Sequence, residues 1–106
     1  MAKYLFEADY TQGGTTGLLK EGGTQRRAAL AGAIESVGGT LESFYYAFGR
    51  NDLYIVADLP GDAAAAAVSL NIGAAGALTV STTVLVTPET IDEAVGKTVA
   101  YRAPGA

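Results

Sequence analysis

The chain contains no cysteine and no histidine. Without cysteine it has no disulfide framework, no thiol nucleophile and no zinc–thiolate site. Without histidine it lacks the commonest general base and the commonest metal ligand of proteins. Its carboxylates do not follow the spacing of an oxygen-only Mg²⁺ or Ca²⁺ site either. The sequence therefore predicts no metal and no other cofactor, and it excludes haem proteins and zinc enzymes of the usual kinds.

Charged residues are also scarce, at 17% of the chain against 49% apolar residues, where about 25% charged residues is usual. The net charge is −4 and the arginines form no extended basic stripe. Nucleic acid is not an expected partner, because phosphate binding requires clustered Lys and Arg. The 106 residues are expected to form one domain, residues 1–106. So lightly charged a small domain is expected to carry a self-association surface.

The sequence gives no reason to expect a membrane partner. The apolar run in MAKYLFEADY spans only three residues before Glu7, which is too short for a signal peptide. The stretch from Ala63 to Pro88 has no charged residue, but small and polar residues dominate it. Such residues supply little of the apolar area that a spanning helix needs. We expect a soluble, cytoplasmic protein.

The first half of the chain predicts a strand, a loop and a helix. Residues 3–11 (KYLFEADYT) alternate in the manner of a strand with unlike faces. The glycine-rich segment TQGGTTGLLKEGG predicts a loop, and its GGTTG part is more typical of a mobile loop than of a phosphate loop, since the Gly-Lys-Ser/Thr ending is missing. Thr24 is the predicted N-cap of a helix that Gly38 and Gly39 end. The residues that share one face of the first strand are Tyr4, Phe6, Ala8 and Tyr10.

The second half predicts a hairpin, a helix, a fourth strand and a short helix. Residues 40–48 and 53–59 are rich in β-formers and are joined by GRND, which is typical of an antiparallel hairpin. Asp62 is predicted to cap an alanine-rich helix. The remaining expectations are that this helix reaches about Asn71 or Ile72 and ends at Gly73 and Gly76, that residues 77–86 form a strand, that Thr87-Pro88-Glu89 begins a short helix, and that the tail from residue 97 is irregular.

The order β-α-β-β-α-β predicts an α+β fold, the ferredoxin-like sandwich. In this fold a four-stranded antiparallel sheet carries both long helices on one face. The other face is left open, and we expect Tyr, Phe and Val side chains on it. Since so lightly charged a protein is not expected to expose such a face to water, a second copy of the chain is the simplest cover. The sequence therefore predicts a homodimer or a higher homo-oligomer.

The chain resembles the GYD domain family. The resemblance rests on the order and spacing of KYLFEADYT, GLLKEGGTQRRAAL, VGGTLESFYYAFGRNDLYIVADLPGDAAAAA and TPETIDEA, from about residue 3 to residue 96. The Gly-x-Tyr-Asp pattern of the family occurs here as Gly49-Arg50-Asn51-Asp52, with Asn51 where the pattern has tyrosine. The resemblance implies a single domain with its core at residues 3–96 and a dimeric α/β-barrel whose two sheets pack across a twofold axis. It implies little chemistry.

The segment FGRNDLY is the first candidate site. Asp52 is a candidate general base, with Arg50 to hold an anionic substrate and Tyr46 or Tyr54 to orient it. The alternative is a plain hairpin loop, because the glycine and the asparagine of the segment tolerate positive φ and the aspartate bonds to local backbone. We favour the loop, with Asp52 as a hydrogen-bond acceptor.

Two further groups are candidate ligand contacts. Arg26 and Arg27 lie in the first turn of the first predicted helix, where cations oppose the helix dipole and point to an anionic ligand or a partner's carboxylate. The alternative is two solvated side chains. The strand tyrosines, Tyr10 among them, are suited to orienting a flat organic ligand, as in cofactor-free monooxygenases of the same barrel architecture. Tyrosine is equally favoured on strands and at interfaces.

Two classes of function remain open from the sequence. The first is a small organic or anionic ligand bound between sheet and helices, and a cofactor-independent monooxygenase or isomerase is one form of it. The second is a self-assembly module without catalytic activity. The candidate ligand contacts for the first class are Tyr10, Arg26, Arg27, Tyr46, Asp52 and Tyr54.

Overall fold

Eight elements follow one another along the chain in a computed structural model that describes all 106 residues. The strands are β1 (Ala2–Tyr10), β2 (Thr40–Tyr46), β3 (Leu53–Leu59) and β4 (Leu78–Leu85). The helices are α1 (Gln12–Glu21), α2 (Gly23–Ser36), α3 (Asp62–Ala75) and α4 (Pro88–Val95). Thr87 caps α4 and proline occupies its first turn, as predicted, and the residues after α4 are irregular.

The strands form one sheet in the order β2-β3-β1-β4, and every neighbouring pair is antiparallel. On one face, α2 packs mainly beside β2 and α3 mainly beside β4. This arrangement confirms the predicted α+β ferredoxin-like fold. The four helices all fall short of the length and apolar character that a membrane-spanning helix requires.

The core lies between the sheet and the helices. Because side chains alternate along a strand, β1 buries Tyr4, Phe6 and Ala8 on this face, and Tyr10 shares it. The alternation predicted for β1 is therefore confirmed. The remaining buried hydrophobic residues are Leu53, Ile55, Ala57 and Leu59 of β3, Ile34 of α2, Ala65 and Val68 of α3, and Leu78 of β4.

The segment predicted as a glycine-rich loop is instead the helix α1, so the GGTTG part is helical as well. Thr11 caps this helix, since its Oγ1 accepts a hydrogen bond from N of Gly14 at 3.1 Å. Gly14 is buried, and a Cβ built on it would lie 2.0 Å from the carbonyl oxygen of Ala77. Gly22, at φ 84°, separates α1 from α2 and replaces Thr24 as the N-cap of α2. The close approach of Gly14 to the backbone of Ala77 therefore supports helix α1, although its glycine content disfavours a helix.

Positive φ angles occur only at glycines outside the hairpin loop. Gly38, at φ 86°, follows α2 as predicted, and Gly76, at φ 79°, ends α3, whereas Gly73 lies inside that helix. Gly49 and Asn51 tolerate positive φ, but neither adopts it. Since β2 stops at Tyr46, the loop between the hairpin strands has six residues rather than four. A loop of that length can reverse the chain without a left-handed residue.

The sheet face away from the helices is open, as predicted. The alternation of β1 and β3 places Leu5, Tyr54 and Val56 on it, and all three are only half-buried. Tyr45 faces the same side opposite Tyr54 and is 70% exposed. Phenylalanine was also expected here, but Phe44 instead packs against the core on the helix side. The open face therefore carries apolar side chains, without the phenylalanine that the sequence predicts.

Candidate functional site

A cleft of about 430 Å³ opens between α2 and α3, above the middle of the sheet. It exists because the two helices lie over opposite halves of the sheet, and the side chains that face the gap between them are mostly small. Ala29 and Ala33 line the cleft from α2, and Ala67 and Ala75 line it from α3. Larger side chains at these positions would close the gap to the density usual in protein interiors.

The floor and walls of the cleft are apolar. Leu53 and Ile55 of the central strand β3 form the floor, although each is only 1% exposed in the folded chain. Leu30 contributes from α2, and Val68 and Ile72 contribute from α3. A cavity of this size and lining suits a small, mostly apolar molecule, since ligand sites are concave and mostly apolar with a few polar groups.

Tyr10 supplies one polar group at the edge of this cleft. Tyr10 is the last residue of β1 and is followed directly by Thr11, the N-cap of α1. Burial raises the pKa of Tyr10 to about 12, the neighbouring Tyr46 hydroxyl adds to the rise, and Arg26 opposes it. A phenol with so high a pKa stays protonated and donates a hydrogen bond over the whole neutral range.

Tyr46 fixes the position of Tyr10. The two rings stack with centroids 6.5 Å apart and an interplanar angle of 20°. The Tyr46 hydroxyl donates to the carbonyl oxygen of Gly23 at 3.3 Å, and a Cβ at Gly23 would lie 2.9 Å from the Tyr46 ring. Phe44 meets Tyr46 edge to face, with centroids 5.3 Å apart. The rotamer of Tyr10 is therefore supported by a packed aromatic cluster.

Arg26 is the cation of the cleft. It lies in the first turn of α2, lines the cleft and keeps 35% of its side chain exposed. Its Nη1 lies 3.6 Å from Oε2 of Glu21, which is a loose surface pairing. Arg27 is exposed and does not line the cleft, because one residue turns a helix by about 100°. Of the two candidate arginines, only Arg26 is brought to the site.

Asp52 belongs to a smaller pocket of about 300 Å³, which it lines together with Tyr10, Tyr46 and Phe48. Its Oδ2 accepts a hydrogen bond from N of Tyr10 at 3.0 Å. Its own backbone N lies 3.1 Å from the carbonyl oxygen of Ala8 and donates to it. The predicted role as a backbone acceptor is confirmed. The carboxylate ties the hairpin loop to the end of β1 and thereby holds Tyr10 in place.

Tyr54 lies away from the cleft. It points to the open face of the sheet, with its hydroxyl 3.5 Å from Oδ1 of Asn51. The sequence analysis did not select Asn71, which lines the cleft from α3, nor the apolar floor. The signal for the cleft was the repeated alanine on both long helices, which leaves space between them. The structure thus joins Tyr10, Tyr46 and Arg26, with Asp52 in support.

Comparison with known proteins identifies the family of the chain. The family model of the GYD domain matches residues 4–95 of the 106 residues. No curated protein and no solved structure is significantly similar to the chain. The match includes every strand and helix of the fold except the first two residues of β1, so it agrees with the resemblance drawn from the sequence segments. The chain belongs to the GYD domain family.

Proposed function

We propose that this protein binds a small organic anion in the cleft between α2 and α3. The ligand has a flat apolar body and one carboxylate or comparable oxyanion. The observation that carries the proposal is the combination of an apolar cleft of about 430 Å³ with a guanidinium and a neutral phenol at its edge. A few convergent polar groups on an apolar cavity are the usual features of a ligand site.

The two polar groups have complementary tasks. Arg26 presents several N–H donors and a permanent charge, and arginine matches the planar geometry of a carboxylate. Tyr10 adds an O–H donor. Since its pKa is about 12, the phenol is neutral and does not repel an anionic ligand. The ligand's apolar body lies against Leu53, Ile55 and Ile72, where water is displaced on binding.

Binding is favoured over turnover by the state of the candidate catalytic groups. Because its pKa is raised to about 12, Tyr10 stays protonated near neutral pH and does not supply a base or a nucleophile there. Asp52 spends one carboxylate oxygen on the backbone N of Tyr10 at 3.0 Å. Since neither group is placed to act as a base, we propose ligand binding as the function of the cleft ahead of a monooxygenase or isomerase reaction.

We further propose that the protein works as a homodimer or a higher homo-oligomer. Its accessible surface is 7020 Å². A compact monomer of its mass, 10.8 kDa, exposes about 5,500 Å², so the isolated chain exposes roughly 1,500 Å² more than expected. A standard interface covers about 800 Å² of each partner. The surplus is therefore sufficient for a stable interface between copies.

Self-assembly without a ligand is the second candidate function. It is favoured by helix α4, which has no buried residue and no extensive packing on another element of its own chain. The two candidate functions make different predictions for the cleft. A ligand site requires the cation beside the apolar cavity, and an assembly module does not. Ligand titration therefore separates them.

The test is isothermal titration calorimetry with 2-naphthoate, a flat apolar carboxylate. Arg26→Gln should weaken binding by about 10- to 100-fold, the equivalent of a charge-assisted hydrogen bond. Arg27→Gln is the matched control, since it removes the same charge one residue away from the cleft. The neutral isostere 2-naphthamide should bind weakly to every variant. Equal affinities of the two arginine variants, or no binding by the wild type, would overturn the proposal.

A further inference from the structure

Two polar side chains of the cleft have no part in binding the oxyanion. Besides Tyr10 and Arg26, the polar residues that line the cleft are Ser36 of α2 and Asn71 of α3. Every other lining residue is apolar. Since a ligand site uses a small number of polar groups to fix the orientation of its ligand, Ser36 and Asn71 indicate which further group the ligand carries.

Both side chains use a donor within their own helix. The Ser36 hydroxyl donates to the carbonyl oxygen of Ala33 at 2.6 Å, and Nδ2 of Asn71 donates to the carbonyl oxygen of Ala67 at 2.8 Å. Such bonds to the preceding turn hold the side chain in one rotamer. No group of the chain donates to Oδ1 of Asn71. A held amide with a free carbonyl oxygen offers a ligand an acceptor.

The fold gives no account of an asparagine at this place in α3. After Asp62 the helix has only two polar side chains, Ser69 and Asn71. Ser69 is hydrogen-bonded to Thr82 of β4, whereas the only hydrogen bond of Asn71 is to its own helix. Asn71 is exposed, and asparagine is a poorer helix former than the alanines around it. A ligand contact would explain its presence.

Arg26 lies close to the end of the cleft that Tyr10 occupies. Its helix α2 begins at Gly23, whose carbonyl oxygen accepts from the Tyr46 hydroxyl at 3.3 Å. Tyr46 in turn stacks on Tyr10. Arg26 follows Gly23 by three residues, which is about 4.5 Å along the helix. The anion site is therefore within one turn of this end.

Asn71 lies near the same end, on the opposite wall. The carbonyl oxygen of Gly76, the C-cap of α3, accepts from Oγ1 of Thr11 at 2.8 Å, beside the end of β1. Asn71 precedes Gly76 by five residues, or about 7.5 Å along the helix. Ser36 follows Arg26 by ten residues, or about 15 Å, and is out of reach of a small ligand held by Arg26. The free acceptor that faces the anion site is therefore on Asn71.

We infer that the ligand of the cleft carries a hydroxyl group in addition to its oxyanion, and that this hydroxyl donates to Oδ1 of Asn71. The ligand class is the hydroxyaryl carboxylates, with the oxyanion on Arg26 and Tyr10 at one wall and a neutral donor at the other. The inference rests on the function proposed above and adds a residue that determines specificity. An ether oxygen in place of the hydroxyl would bring a second acceptor to Oδ1, and that bond could not form.

The test is calorimetric titration at neutral pH with 2-naphthoate and its 5-hydroxy, 6-hydroxy and 7-hydroxy derivatives. A phenol has a pKa of about 10, so each hydroxyl is a neutral donor. The three isomers vary the direction from carboxylate to hydroxyl. We expect at least one of them to bind about 3- to 10-fold more tightly than 2-naphthoate, the scale of one hydrogen bond between neutral groups.

Two comparisons assign that gain to a hydrogen bond with Asn71. The methoxy compound with the same ring position keeps the oxygen but has no donor, so it should bind no more tightly than 2-naphthoate. Asn71→Leu removes the acceptor at similar size and should bind the hydroxy isomer and 2-naphthoate equally. Ser36→Ala is the matched control, since it changes another exposed polar residue of the cleft, and it should keep the full gain.

The outcomes separate this inference from the proposed function. Absence of a gain for all three isomers, an equal gain from the methoxy compound, or a gain that persists in Asn71→Leu would overturn the inference. In each of these cases 2-naphthoate binding that depends on Arg26 would leave the proposed function standing. Loss of that dependence, with Arg26→Gln equal to Arg27→Gln, would overturn the proposed function and the inference together.

Discussion

Gly14→Ala tests the contact that holds α1 against the start of β4. A Cβ at this position would lie 2.0 Å from the carbonyl oxygen of Ala77 and 3.0 Å from the Tyr10 ring. That carbonyl cannot retreat freely, because it accepts hydrogen bonds from N of Thr11 at 3.0 Å and from Oγ1 of Thr11 at 3.3 Å. The added methyl group must therefore displace α1 or break these bonds.

The expected cost combines two effects. Overpacking a tight site costs about 1–3 kcal/mol, and each weakened hydrogen bond adds about 1 kcal/mol. The better helix propensity of alanine returns up to about 1 kcal/mol. We expect Gly14→Ala to lower the free energy of unfolding by about 2–4 kcal/mol. Tyr10 should shift with α1, so 2-naphthoate affinity should fall as well.

Gly17→Ala is the matched control in the same helix. Nothing lies within 4 Å of a Cβ built there, so only the propensity gain remains and stability should rise by about 0.5–1 kcal/mol. The assay is urea unfolding followed by circular dichroism, with variants compared at the same protein concentration because the chain is proposed to self-associate. Equal and small effects of the two substitutions would refute the close packing of α1, as they would fit the loop that the composition predicts.

Two further predictions concern Asp52 and Tyr10. Asp52→Asn should leave the oligomeric state unchanged and lower the free energy of unfolding by no more than about 1–2 kcal/mol, the scale of one weakened hydrogen bond. If a substrate is found and this variant abolishes its turnover at an unchanged melting temperature, Asp52 is catalytic. The pKa of Tyr10 is raised from 10.0 to about 12 in the folded chain, so folding opposes deprotonation of this phenol. The folded state is therefore fully stable with respect to Tyr10 below pH 10, and it loses stability as the pH rises from 10 toward 12. Tyr10→Phe should therefore flatten the fall in melting temperature across this window, with Tyr54→Phe as control. Part of the fall should remain, since the hydrogen bond to Asp62 and burial also raise the pKa of Tyr4.

The sheet could be predicted from the sequence because its signal is local. The alternation of β1 continues through Tyr4, Phe6 and Ala8, and a one-residue error would place all three in water. The cap of α4 was equally readable from Thr87 and Pro88. Each of these features depends on residues within a few positions of one another, which is why the fold class followed without tertiary information.

The helix α1 could not be predicted because its cause is not local. Three glycines in ten residues argue against a helix, and only the approach of Gly14 to Ala77, a residue distant in sequence, explains one of them. The same limit applies to the cleft. Whether Arg26 or Arg27 reaches the cleft depends on the rotation of α2 about its axis relative to the sheet. That rotation cannot be predicted from the local sequence pattern.

The central claim is that the cleft between α2 and α3 holds a small organic anion. The most direct measurement is an isotope-filtered NOE experiment on the wild-type protein saturated with 2-naphthoate. The account predicts NOEs from the naphthalene protons to the methyl groups of Leu30, Val68 and Ile72, which line the cleft. NOEs to Leu5 or Val56 on the open face, or a saturated sample without cleft contacts, would contradict it.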